Sequence, residues 1–287
     1  MNTLFLIFLL VFLVIMVNKN RVLMKRMKKV KKYTACTEAV FNRDEHALEI
    51  INDFLEREDS LEFQNKAHVV KAYVEDGKGL DACTTFNLFD LKEIILKDGK
   101  SFDKNKTNFN SDTFVWLLAL LIRAESHQDL ECAQRIYDKV DACSEYLSND
   151  LATRMIKATY QIYNEQNVED NLQQLRDIYL GNYAGLNYDK NVIGIYKYLS
   201  LALIRYFNGT VNEDEGKDLV EFSKMKIGHL LLEDLGLYEE YNSLKALDEA
   251  TENVDEETST VGSEVETAEE TNDTAETADC QNEDEEN

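Results

Sequence analysis

The chain has 287 residues, of which 44% are hydrophobic and 10% aromatic, and its formal net charge is −24. A chain this acidic is repelled by phosphate backbones, which excludes nucleic acid as the main partner. Its five cysteines are scattered without a CxxC, the pattern of reduced thiols rather than a disulfide framework, and it has no proline, which suits helices better than turn-dense sheets.

The first element is an apolar run, Leu4, Phe5, Leu6, Ile7, Phe8, Leu9, Leu10, Val11, Phe12, Leu13, Val14, Ile15, Met16 and Val17. As a helix, residues 1–17 reach roughly 25 Å, the short end of a bilayer core. Directly after it come eight cations and no acid, Lys19, Arg21, Lys25, Arg26, Lys28, Lys29, Lys31 and Lys32. A cleaved secretory signal carries its positive charge before the apolar run and a small-residue cleavage site after it. Here the charge follows the run, which exits into Asn18 and Lys19. The expectation is therefore an uncleaved membrane span over residues 1–18, with a basic juxtamembrane segment over 19–33. Cations are retained on the cytoplasmic side, so the N-terminus lies outside and the remainder of the chain is cytoplasmic. Two readings of the basic block stay open. It is a topology signal alone, or, with Leu23, Met27 and Val30 at helical spacing, a helix that also rests on anionic headgroups.

From residue 34 to about 242 the apolar residues recur with a helical period, broken by short polar or glycine-containing turns. The pattern predicts helices near 34–42, 45–57, 61–76, 84–97, 111–126, 129–147, 150–164, 168–180, 188–207 and 212–241, the last broken near Gly228. Asp76-Gly77-Lys78-Gly79, Asp98-Gly99 and Asn208-Gly209 supply left-handed stops, and Ser111-Asp112 and Asn149-Asp150 supply N-terminal caps. The polar stretch KDGKSFDKNKTNFN, residues 97–110, reads as a surface loop. DTFVWLLALLIRA is the most apolar stretch of the body. Bounded by Asp112 and Arg123, it is too short to span a bilayer and reads as a buried central helix. The aromatic series Tyr188, Tyr196, Tyr198, Tyr206 and Phe207 interleaves with Ile193, Leu199 and Leu203 and reads mostly as core.

Short amphipathic helices joined by short loops pack as antiparallel neighbours. The hairpins around LECAQRIYDKV and ATRMIKATYQIYNEQNVEDNLQQLRDIY resemble tetratricopeptide-type units, with Tyr160 and Tyr163 after Ala158 and the loop Asn164-Glu165-Gln166-Asn167 before the next helix. The offset between copies is about 39 residues where that family uses about 34, and the W-x-x-L-G-x-x-Y pattern and closing proline are missing. The resemblance, over roughly residues 40–210, implies an all-α fold, an irregular α-solenoid of antiparallel helical hairpins over 34–246 that binds protein segments. The polar faces of 129–143 and 168–180 are the expected lining of its groove, with Arg135, Lys139, Gln174 and Arg176 as partner-binding candidates.

From residue 247 the chain holds 17 acidic residues and no basic one, with isolated Val and Ala to bury. Such a segment cannot offset its conformational entropy, so 247–287 is expected to be a disordered acidic tail. It is either a solubilising extension or an electrostatic competitor for residues 19–32. No phosphate-binding loop, GxGxxG, GxSxG or HExxH occurs, and His46, His68, His127 and His229 are isolated from the cysteines and from one another. No catalytic, cofactor or metal residues are assigned, and no cofactor is expected. The reading is a membrane-anchored cytoplasmic adaptor or scaffold for an unidentified protein or peptide. The alternatives are an enzyme without a linear motif and a passive envelope-associated spacer.

Overall fold

The computed structural model describes residues 3–91, 111–147, 150–186, 188, 190 and 193–243, and the side chains of its first helix from Phe12 onward. Among these residues the chain is all-helical. Twelve helices follow in order: α1 (Thr3–Phe41), α2 (Ala47–Arg57), α3 (Leu61–Gly77), α4 (Ala82–Asn87), α5 (Ser111–Ser126), α6 (Leu130–Asp141), α7 (Ser144–Leu147), α8 (Leu151–Tyr163), α9 (Val168–Tyr179), α10 (Ile193–Asn208), α11 (Glu213–Ser223) and α12 (Lys226–Asp234). Residues 238–243 are helical again. The expected acidic tail 247–287 and the expected loop 97–110 lie outside the described residues.

Local chemistry sets many of these bounds. Asp81, Asp129 and Asp150 each accept a hydrogen bond from the backbone amide three residues on, at 2.9, 3.1 and 2.8 Å, and so satisfy a donor that the helix leaves open. Asn212 and Glu215 close a reciprocal capping box at the start of α11. Gly209 (φ +75°) stops α10 in the left-handed region that a side chain disfavours.

Several boundaries differ from the sequence expectation. The helix predicted at 84–97 runs from Ala82 only to Asn87, and the one predicted at 188–207 starts at Ile193. The apolar run, the basic block and the helix predicted at 34–42 form one continuous helix of 39 residues, α1. The helix predicted at 129–147 divides at Ala142-Cys143, where the Cys143 amide donates to the Val140 carbonyl at 3.1 Å, a tighter turn that sends Cys143 into the core. The helix predicted at 212–241 breaks at Lys224-Met225, before Gly228, and again at Gly236 (φ +69°). Gly228 has a packing role instead: a Cβ there would lie 1.8 Å from the Phe222 carbonyl oxygen, so its absence lets α12 close onto the end of α11.

The core is built on α5. Phe114 and every residue from Trp116 to Ile122 are buried, as the sequence anticipated for a central helix. Around it pack α3, α6, α8 and α12, while α8, α9, α10, α11 and α12 follow one another in contact. The last of these returns: α12 touches both α5 and α1. A stack in which each unit meets only its neighbours lacks such a return contact.

A polar clasp fixes it. Arg123 of α5 donates from Nε to Asp234 Oδ1 of α12 at 2.8 Å and from Nη1 to the Tyr73 carbonyl of α3 at 3.0 Å. Tyr73 donates its hydroxyl to Asp234 Oδ2 at 2.7 Å, and the guanidinium lies 3.7 Å from the Tyr73 ring centroid. Gly77 makes room for this arginine, since a Cβ there would come within 2.4 Å of Arg123 Nη1. Burial pushes the Asp234 carboxyl above the usual carboxylate range, and the bonds from Arg123 and Tyr73 pull it only part of the way back.

Candidate binding surfaces

The two halves of α1 have different surroundings. Tyr33, Cys36, Ala39 and Val40 are buried in the core, so the end of the helix is part of the folded body. Toward the start, six consecutive apolar side chains are exposed, from Phe12 at 56% to Val17 at 41%, and Leu23, Met27 and Val30 of the expected stripe are exposed too. Among the described residues no helix is long and apolar enough to cross a membrane. The side chains of Leu4 to Val11, the larger part of the expected span, lie outside the described ones.

Of the eight expected headgroup cations, Lys19, Arg21, Lys25, Arg26, Lys28, Lys31 and Lys32 are exposed and Lys29 is half-buried. Two of them reach the body. Lys29 donates to Glu58 at 2.7 Å and also to Asp59, and Arg26 lies 3.6 Å from Glu62. The turn between α2 and α3 therefore holds α1 by its side as well as by its buried end.

Beneath α1 lies a cleft of about 360 Å³. Arg26, Glu62 and Lys66 stand at one end, and Trp116, Ile195 and Ile227 contribute apolar wall. The lysine is 6% exposed, with its ammonium 3.8 Å from Glu62 and 5.8 and 5.6 Å from the Tyr33 and Phe63 ring centroids. Nothing local in the sequence marks this cleft, because α1, α3, α5, α10 and α12 each supply part of it.

A second depression, about 310 Å³, runs between α7, α8 and α9. It brings Arg154 and Lys157 together with Gln161, Asn171 and Gln174. Lys157 is tied to Asp141 and donates to Ser144 Oγ at 2.9 Å. Asn171 donates to Gln161 at 3.1 Å and accepts from Gln174 at 3.2 Å. Arg154 is exposed.

The four partner-binding candidates do not converge. Gln174 lines the α7–α9 groove. Arg135 pairs with Glu131 one turn back on α6, a bond that raises its pKa. Lys139 donates to the carbonyls of Asn87 and Phe89 at the end of α4, over the Phe86 and Phe89 rings, and burial lowers its pKa. Arg176 pairs with Glu215 and so joins α9 to the capping box of α11. Leu130, at the start of α6, is 62% exposed. Ala133 and Ala158 are buried, as close helix approach requires.

The histidines and thiols take separate positions. His127 lies 3.1 Å from Asp76, and His229 lies 3.1 Å from Glu233 and stacks on Tyr238 with ring centroids 3.8 Å apart. Cys132 meets Cys83 of α4, and burial raises both thiols. Among the described residues there is no cluster of three or more metal-ligating side chains.

No protein-family model, curated protein or solved structure matches this chain. The assignment of function therefore rests on the geometry above.

Proposed function

We propose that the chain is a single-pass, membrane-anchored adaptor. Residues 4–17 cross the bilayer, the cations of 19–32 keep the N-terminus outside, and the helical body is held at the cytoplasmic face. The observation that carries the anchor is the change of environment along α1, which exposes consecutive apolar side chains from Phe12 to Val17 while its end is buried in the core. An apolar surface of this kind on one projecting helix marks a membrane or partner contact. The seven exposed cations next to it add about 1 kcal/mol each near an anionic leaflet.

For the body, α5/α6, α8/α9 and α10/α11 are read as three hairpins of an irregular, tetratricopeptide-like array. The groove between α7, α8 and α9 is its recognition surface. Exposed Arg154 beside the carboxamides of Gln161, Asn171 and Gln174 suits an extended protein segment with acidic side chains, to which carboxamides offer both donors and acceptors. In-cell crosslinking followed by affinity purification of the full chain, beside the Arg154→Glu/Gln174→Glu variant, tests this. The expected result is a small set of proteins recovered with the native chain and lost with the variant. Identical recovery from both, or none above background from either, contradicts the adaptor reading.

A further inference from the structure

The eight cations of residues 19–32 leave one line of α1 clear. Leu13, Met16, Asn20, Leu23, Met27 and Val30 recur at intervals of three and four residues, and none of these positions is charged. Leu6 and Leu9 continue the spacing toward the start of the chain. In a helix this is the seam of a heptad repeat, which meets the same seam of a partner helix. The structure leaves it uncovered: Leu13, Leu23 and Met27 are more than half exposed, Met16 and Val30 are each 45% exposed, and Asn20 is exposed. The seam ends at Val30, because Tyr33 turns into the body.

The leaflet does not account for this line. α1 runs unbroken into the core, with no kink at which residues 18–32 could lie down on headgroups. With residues 4–17 in the bilayer, Val30 stands 13 residues beyond Val17, roughly 20 Å along the axis and past a headgroup layer about 5–8 Å deep. We propose that a second copy of this chain covers the seam, in a parallel pair of α1 helices from Leu6 to Val30, a pairing that rests on the anchor reading. Asn20 selects a copy of the same helix. Its carboxamide both donates and accepts, and an Asn pair on a seam fixes parallel register and two strands at some cost in stability. The size of the surface requires the membrane. Asn20 to Val30 is a strip of roughly 15 Å by 10 Å, far below the about 800 Å² that each partner buries in a stable complex of free proteins. A shared bilayer lengthens the seam to about 36 Å, holds both helices parallel and raises their effective concentration. Across the seam Lys19 approaches the partner's Met24, and Arg26 approaches the partner's Lys31. The second pair is repulsive, so pairing strengthens with salt, the reverse of attraction to an anionic leaflet.

The test places single cysteines along α1 of the full chain in a Cys280→Ser background and oxidises them in native membranes. The same chain without an added cysteine gives the background of the four remaining thiols. The expected result is a homodimeric disulfide at Asn20→Cys, Leu23→Cys, Met27→Cys and Val30→Cys, with yields that rise with salt. Lys25→Cys and Lys32→Cys, on the opposite side of the helix, stand beyond disulfide reach and stay at background. Met27→Lys added to the Leu23→Cys chain lowers the yield about tenfold, and since Met27 is exposed the melting of the body is kept. Equal yields around the helix, yields highest at Lys25→Cys or Lys32→Cys, or yields that fall with salt overturn the proposal. Alkaline extraction of the same membranes separates the two readings. A chain retained in the pellet without the seam pattern overturns the pairing and leaves the anchor standing, whereas a chain released to the supernatant overturns the anchor and the pairing with it.

Discussion

Two apolar runs of this chain have similar composition and opposite surroundings. In α5, Phe114 to Ile122 is covered on all sides by α3, α6, α8 and α12. In α1, Phe12 to Val17 is exposed along its length. Hydrophobicity alone does not separate the two cases; the flanks do. Asp112 and Arg123 bracket the α5 run, and Arg123 is used inside the fold to hold Tyr73 and Asp234. Eight cations on one side only follow the α1 run, and most of them point to solvent. An apolar helix enclosed by the polypeptide reports on folding. One left uncovered reports on what the protein must find outside itself.

The same kind of substitution in the two runs separates them most strongly. Leu118→Arg places an unpaired cation in the centre of α5 and costs on the order of 5 kcal/mol, enough to unfold a marginal body. Far-ultraviolet circular dichroism should show loss of cooperative melting. Next in size is Arg123→Met, which leaves Asp234 buried without its cation at a cost of roughly 3 kcal/mol. A lower urea midpoint with an unchanged denaturant slope is the expected result.

A smaller effect follows from the raised Asp234 pKa. Between the ordinary aspartate range and that raised value, the folded state holds a proton that the unfolded chain has released, so stability falls as pH rises through the window. Asp234→Asn removes this residue's share of the slope, while Asp76 and Glu125, which burial also raises, keep theirs. Urea midpoints across the acid range check it, and an unchanged slope in Asp234→Asn contradicts it. Smallest of all is Leu10→Arg/Val14→Arg, which lies ahead of the buried part of α1 and should move the melting of the body by no more than about 0.5 kcal/mol.

Much of the helical layout was legible, because a 3.6-residue period and acidic or amide caps act locally. Asp150 before Leu151 and Asn208-Gly209 after α10 are examples. The joins were less legible. Nothing in the sequence between Val17 and Tyr33 says that three apparent segments continue as one helix, since a basic stretch carries no stop signal of its own. Gly228 looked like a break because glycine often marks one, whereas its need arises from the Phe222 carbonyl of another helix. The polar faces hid their purpose in the same way: Lys139 and Arg176 read as candidates for an outside partner, yet their partners lie within the chain, about 50 and 39 residues distant, at Phe89 and Glu215. The cleft under α1 was illegible for the same reason, as Arg26, Lys66, Trp116 and Ile195 meet only after five helices have packed.

The anchor is the central claim, and alkaline extraction of membranes from cells making the full chain tests it most directly, with Leu10→Arg/Val14→Arg alongside. Each central arginine costs a membrane helix roughly 3 kcal/mol. The account predicts that the native chain stays in the membrane pellet while the double variant, its body still folded, moves to the supernatant. Release of the native chain, or equal retention of both, would contradict it.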